Sequence, residues 1–112
     1  MATYPIDPDV RRIARRFGID PKLIHAVVKA EGNIIKAVQC SLPSITTEEQ
    51  ALDVTCRSAV HAMSDFIKAK HAEEFVQFWG SRWAPRGVAN DPTDLNRHWP
   101  LNVLRIWLGY HA

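Results

Sequence analysis

Long apolar runs are missing from this chain, and no stretch approaches the roughly 20 residues that a membrane-spanning helix requires. Its opening, Met1-Ala2-Thr3-Tyr4-Pro5-Ile6-Asp7-Pro8-Asp9, has neither the basic n-region nor the apolar h-region of a secretory signal peptide, so synthesis in the cytoplasm without a leader is expected. An excess of one charge is missing too. Fourteen Lys and Arg against twelve Asp and Glu give a net charge of +2, too small to point to nucleic acid. Only two cysteines occur, Cys40 and Cys56, which excludes a disulfide framework. Free thiols are expected, with a single bridge open if the loop after Cys40 folds back on the helix that carries Cys56. The five histidines, His25, His61, His71, His98 and His111, show no metal-type spacing with one another or with the cysteines. Asp91-Pro92-Thr93-Asp94 has too few ligands for a calcium loop. No metal and no cofactor are therefore expected. Sustained period-two alternation, internal repeats and low-complexity tracts are absent as well.

What is present is a core-forming composition. Hydrophobic residues make up 46% and charged residues 23% of 112 residues, enough for one globular domain spanning 1–112. The periodicity predicts an all-α fold of about five helices. Asp7-Pro8 opens a first helix carrying Val10, Ile13, Ala14 and Phe17 and ending at Gly18, with Arg11, Arg12, Arg15 and Arg16 on its solvated side. Asp20-Pro21 opens a second, closed by Gly32. From Asn33 to Ser44 the pattern fails, and an irregular loop is expected. Thr46 with Glu49 offers a capping box for a long helix presenting Leu52, Cys56, Ala59, Val60, Met63, Phe66 and Ile67. A fourth helix is expected over Ala72 to Trp83, then a loop rich in Pro, Gly, Asn and Asp to Leu95. The last, around Trp99 to Leu108, would offer Leu101, Leu104, Trp107 and Leu108 to the core.

One residue breaks the pattern of the second helix. Ile24, Val27 and Val28 mark its core-facing stripe, and Glu31 falls four residues after Val27 on the same face. A carboxylate there opposes the helix dipole and faces desolvation, both of which disfavour the charged form. An acid that donates protons needs such surroundings, so Glu31 is the candidate catalytic residue.

The run Phe17-Gly18-Ile19-Asp20-Pro21-Lys22-Leu23-Ile24-His25-Ala26-Val27-Val28-Lys29-Ala30-Glu31-Gly32 resembles the opening of soluble lytic transglycosylases of the lysozyme-like superfamily. Their motif is a helix that starts near Asp/Ser-Pro and ends at the catalytic Glu, usually followed by Ser. Glu31 matches the Glu, and Gly32 stands where the Ser usually is. Ala37-Val38-Gln39 with Leu42-Pro43 looks like a shortened form of the Gly-Leu-Met-Gln and Met-Pro segment, with Gln39 at the Gln. Asp53 to Lys70 looks like the helix beneath the active site. The usual Ala-Tyr-Asn signature is missing; Arg82-Trp83-Ala84-Pro85, Asn90-Asp91-Pro92 and Leu95-Asn96 resemble a pattern in phage-encoded members instead. The resemblance covers about Phe17 to Val103. It implies a compact lysozyme-like helical domain acting on peptidoglycan glycan strands, at the bacterial wall or in a phage particle. Glu31 would first protonate the leaving glycosidic oxygen, then take a proton from the sugar's own 6-hydroxyl, giving a 1,6-anhydro product. Gln39, Trp83 and Asn90 would bind substrate. A hydrolytic lysozyme would want a second carboxylate, for which Asp91 is the acid least accounted for otherwise.

Two other classes compete. Gly32 and the weakened Gln39 motif suit a lysozyme-like domain that has lost catalysis and serves as a structural or wall-binding phage protein. Ile13 to Ala30 also resembles a helix-turn-helix, but the second helix has apolar residues on more than one side, which fits burial better than a DNA groove. Nucleic acid is therefore not an expected partner. Trp79 and Trp107 read as core aromatics, and Asn96 as a loop cap.

Overall fold

A computed structural model describes residues 6–69, 75–86 and 95–109. Among these all regular structure is helical. The elements are α1 (Pro8–Arg16), α2 (Pro21–Glu31), α3 (Ile34–Gln39), α4 (Glu48–Ala69), α5 (Phe75–Trp83), a 3-10 turn (Leu95–His98) and α6 (Trp99–Gly109). None of them is long and apolar enough to cross a membrane.

Caps written into the sequence set the first two helices. Asp7 accepts the N–H of Asp9 at 2.8 Å, and Asp20 accepts that of Lys22 at 2.9 Å, each just before a proline at the first helical position. Gly18 and Gly32 take positive φ values of 69° and 78°, turning the chain out of α1 and α2. In α2, the consecutive residues Leu23, Ile24, His25, Ala26 and Val27 are all buried. At about 100° per residue, five successive positions encircle the helix, so α2 is the central strut of the molecule. It packs against α1, α3 and α6. The long α4 lies across α1, α3 and α5, burying Ala51, Leu52, Thr55, Cys56, Ala59 and Ala62.

Several expectations are corrected. The stretch expected to be irregular contains α3: Asn33 caps it through the Lys36 N–H at 3.1 Å, and Ile34 and Val38, one turn apart, are buried. The cap of α4 sits one residue later than expected. Thr47 Oγ1 accepts the N–H of Gln50 at 3.2 Å, and Gln50 Oε1 accepts the N–H groups of Thr46 and Thr47 at 3.0 and 3.2 Å. Glu49 is thereby left to pair with Arg12 at 2.8 Å, tying α4 to α1. Ile67 and Leu101, expected in the core, are 67% and 57% exposed, whereas Val103 of α6 is fully buried. The expected start of the fourth helix at Ala72 lies outside the described residues. Both thiols are free, Cys40 exposed and Cys56 buried in α4. Burial, reinforced by the neighbouring Asp53 charge, pushes the Cys56 thiol up to about 12.

Candidate active site

The C-terminus of α2 delivers Glu31 to the place where α5 and α6 converge. Trp83, the last residue of α5, donates its indole N–H to Glu31 Oε1 at 2.9 Å; Trp99, the first of α6, donates to the same oxygen at 2.8 Å. An indole N–H can only donate, so Oε1 is an acceptor whatever the charge of the group. Oε2 has no hydrogen-bond partner among the described residues. One oxygen is anchored, and the other is not.

The anchors are themselves fixed. Trp79 is fully buried between them, 5.9 Å from Trp83 and 5.6 Å from Trp99 in edge-to-face contacts. Its own N–H goes to Ser58 Oγ of α4 at 3.0 Å, and Phe75 stacks on it at 5.8 Å. Gly80 lets α6 approach: a Cβ built there would lie 2.9 Å from Trp99 Cε3 and 3.3 Å from Pro100 Cγ. Asp20, the cap of α2, also receives the Trp107 N–H at 3.2 Å, so α6 is pinned at both ends of α2.

Beside this cluster runs a cleft of about 200 Å³ between Ala37 and Val38 of α3, Val54 and Ser58 of α4, and Arg82 and Trp83 of α5. Ser41 and Leu42 close its rim, and Leu42 is 43% exposed. Trp83 joins cleft and acid, its ring on the cleft wall and its N–H on Glu31. Glu31 itself is not among the residues that line the cleft.

Of the residues singled out from the sequence, Glu31 and Trp83 are brought together. Gln39 ends α3, and its amide donates to the Ile45 carbonyl at 2.7 Å, holding the loop before α4. Asn90 and Asp91 lie outside the described residues. Asn96 donates to the Pro85 carbonyl at 3.0 Å, a loop-fixing contact as expected. Trp99, Ser58 and Arg82 were not singled out. The only signal for Trp99 was chemical: a buried indole needs an acceptor, and Glu31 is an acid on an apolar face. Asp7, Asp9 and Glu48 bring carboxylate oxygens within 4.8 Å of one another, but all three are exposed, and Asp9 already meets Arg12 at 3.4 Å.

No protein-family model, curated protein or solved structure matches the chain.

Proposed function

We propose that the chain is a lysozyme-like domain that cleaves peptidoglycan in the manner of a lytic transglycosylase, with Glu31 as its acid and base. The supporting observation is the asymmetry of the Glu31 carboxyl group, one oxygen held by two indoles and the other unpartnered. In the proposed reaction Oε2 gives its proton to the glycosidic oxygen as the bond to the anomeric carbon breaks. The 6-hydroxyl oxygen of the same sugar then bonds to that carbon, and its proton returns to Glu31. The products are a free hydroxyl on one fragment and a 1,6-anhydro ring on the other, and no water is consumed. One positioned carboxyl suffices, whereas hydrolysis with a carboxylate pair would need a second acid at a defined separation.

Digestion of purified peptidoglycan by wild type and Glu31→Gln, with mass spectrometry of the products, tests this reading. Reducing-end products that depend on Glu31 would make the domain a hydrolase.

A second reading, a catalytically silent wall-binding or structural phage domain, draws on two observations. Glu31 stands off the cleft lining, and the Gln39 amide N–H is spent on a loop. Wall binding by wild type without any product would favour it. A helix-turn-helix would need an exposed second helix, and the burial of Leu23 to Val27 argues against that use of α2.

A further inference from the structure

The exposed side of α1 carries Arg11, Arg12, Arg15 and Arg16, and the fold uses only two of them. Arg12 reaches Asp9 at 3.4 Å and Glu49 of α4 at 2.8 Å, and Arg16 lies 3.7 Å from Asp53 of α4. Arg11 and Arg15 make no hydrogen bond or ion pair among the described residues. They stand four residues apart on α1, and like charges in that register disfavour a helix. Only Arg15, in the last turn, gains from the helix dipole. With Arg12, Ile6 and Pro8 they line a trough of about 310 Å³ that has no acid in its wall. The carboxylates of Asp7, Asp9 and Glu48 converge nearby but do not line it. Two features limit what fits. The large exposed apolar residues, Leu42, Ile67, Leu95 and Leu101, all lie outside α1, so this concave face has nothing to insert into a flat bilayer. No aromatic ring lines the trough either, so the bases of a nucleic acid would find no stacking platform.

We infer that this trough binds a base-free phosphodiester strand, a polyol-phosphate polymer, with Arg11 and Arg15 each taking one phosphate group. A planar guanidinium matches two phosphate oxygens in parallel hydrogen bonds, which an ammonium group cannot do. Ile6 and Pro8 offer the polyol carbons an apolar edge. The Arg12–Glu49 and Arg16–Asp53 pairs tie α1 to α4, so the two uncommitted arginines are carried on a fixed helix. This goes beyond the proposed cleavage. Glu31 does not line the trough, and such binding would hold the chain on a phosphate-bearing wall whether or not it cuts glycan.

Calorimetry of the full chain with poly(glycerol phosphate), oligothymidylate and phosphatidylglycerol vesicles, over a series of salt concentrations, separates the outcomes. Wild type should bind poly(glycerol phosphate) most tightly. The logarithm of its association constant should fall with the logarithm of salt at a slope of about −1.4, the value for two phosphate contacts on a single strand. Arg11→Gln and Arg15→Gln should each weaken binding about fivefold and bring the slope to about −0.7. Arg15→Lys should keep the wild-type slope and lose part of the affinity. Arg105→Gln removes the same charge from an exposed position on α6 and should bind as wild type does. All four substitutions are on exposed side chains, so unchanged circular dichroism is expected and confirms that the variants compared are folded. No binding of poly(glycerol phosphate), tighter binding of oligothymidylate or of vesicles, or equal weakening by Arg105→Gln overturns the inference. So does a slope that Arg11→Gln and Arg15→Gln leave unchanged. Peptidoglycan digestion that is absent or independent of Glu31 would remove the catalytic reading and leave this one standing.

Discussion

At Glu31 a single oxygen serves two indole donors, and this sets what substitutions there will do. Glutamine keeps an acceptor oxygen for both N–H groups, so Glu31→Gln should fold with a loss of about 0.5–1.5 kcal/mol in urea unfolding. Alanine leaves the N–H of Trp99, which is only 7% exposed, without its acceptor; a loss of about 2–4 kcal/mol is expected. Equal losses in the two variants would mean that the indoles find other partners. The neighbouring Gly32, with φ 78° and ψ −45°, is held where L-residues are strained. Gly32→Ser, which reinstates the hydroxyl that the resembled family usually carries, should therefore cost about 1–3 kcal/mol by the same measurement. The two cysteines differ in exposure, and Cys40 should react with a thiol reagent at once in native protein. Cys56, buried and pushed up to about 12, should react only on unfolding. Two fast thiols would contradict the burial of Cys56. Glu31 was legible in the sequence because four-residue spacing reveals a helix face. Its partners were not, because they arrive from 52 and 68 residues away, and nothing local announces such a contact.

Among the elements, α5 and α6 decide whether the two indoles meet. Their approach depends on Gly80, where an added methyl would press on Trp99 and Pro100. Gly80→Ala should cost about 1–3 kcal/mol through overpacking. It should also shift the Trp99 indole N–H resonance, since the ring that must move is the one bonded to Glu31. An unchanged indole resonance would show that the α5–α6 contact is looser than described. Helix boundaries were legible wherever a cap is spelled out in adjacent residues, as with Asp7-Pro8, Asp20-Pro21, Gly18 and Gly32. They were missed where two overlapping caps compete, as at Thr46 and Thr47, and where a helix is a single capped turn and a half, as in α3. The exposure of Leu101 was also invisible, because the rotation of α6 is set by the Trp99 and Trp107 contacts to α2 and not by its own apolar pattern.

For the molecule as a whole, the burial of α2 has a consequence for acid stability. His25 is only 4% exposed, and burial, with the nearby Lys29 charge, lowers its pKa from the ordinary 6.5; Asp7 opposes the shift. Below about 6.5 the unfolded chain takes up a proton that the folded chain still excludes. The unfolded state then binds more protons, so this contribution to stability is present above that pH and declines as pH falls towards the lowered folded value. Urea midpoints should fall between pH 7 and pH 5, and His25→Gln, though less stable at pH 7, should show a shallower decline. An equal slope in both proteins would remove His25 as the cause.

The all-α architecture came from periodicity and caps, but the candidate acid became a site only when α2, α5 and α6 were assembled around it. The most direct measurement is the product spectrum of purified peptidoglycan incubated with wild type and with Glu31→Gln, both first shown to be folded. The prediction is 1,6-anhydro-muropeptides from wild type and none from Glu31→Gln. Undiminished release by Glu31→Gln, or a folded wild type that binds the wall and releases nothing, would contradict Glu31 as the catalytic acid.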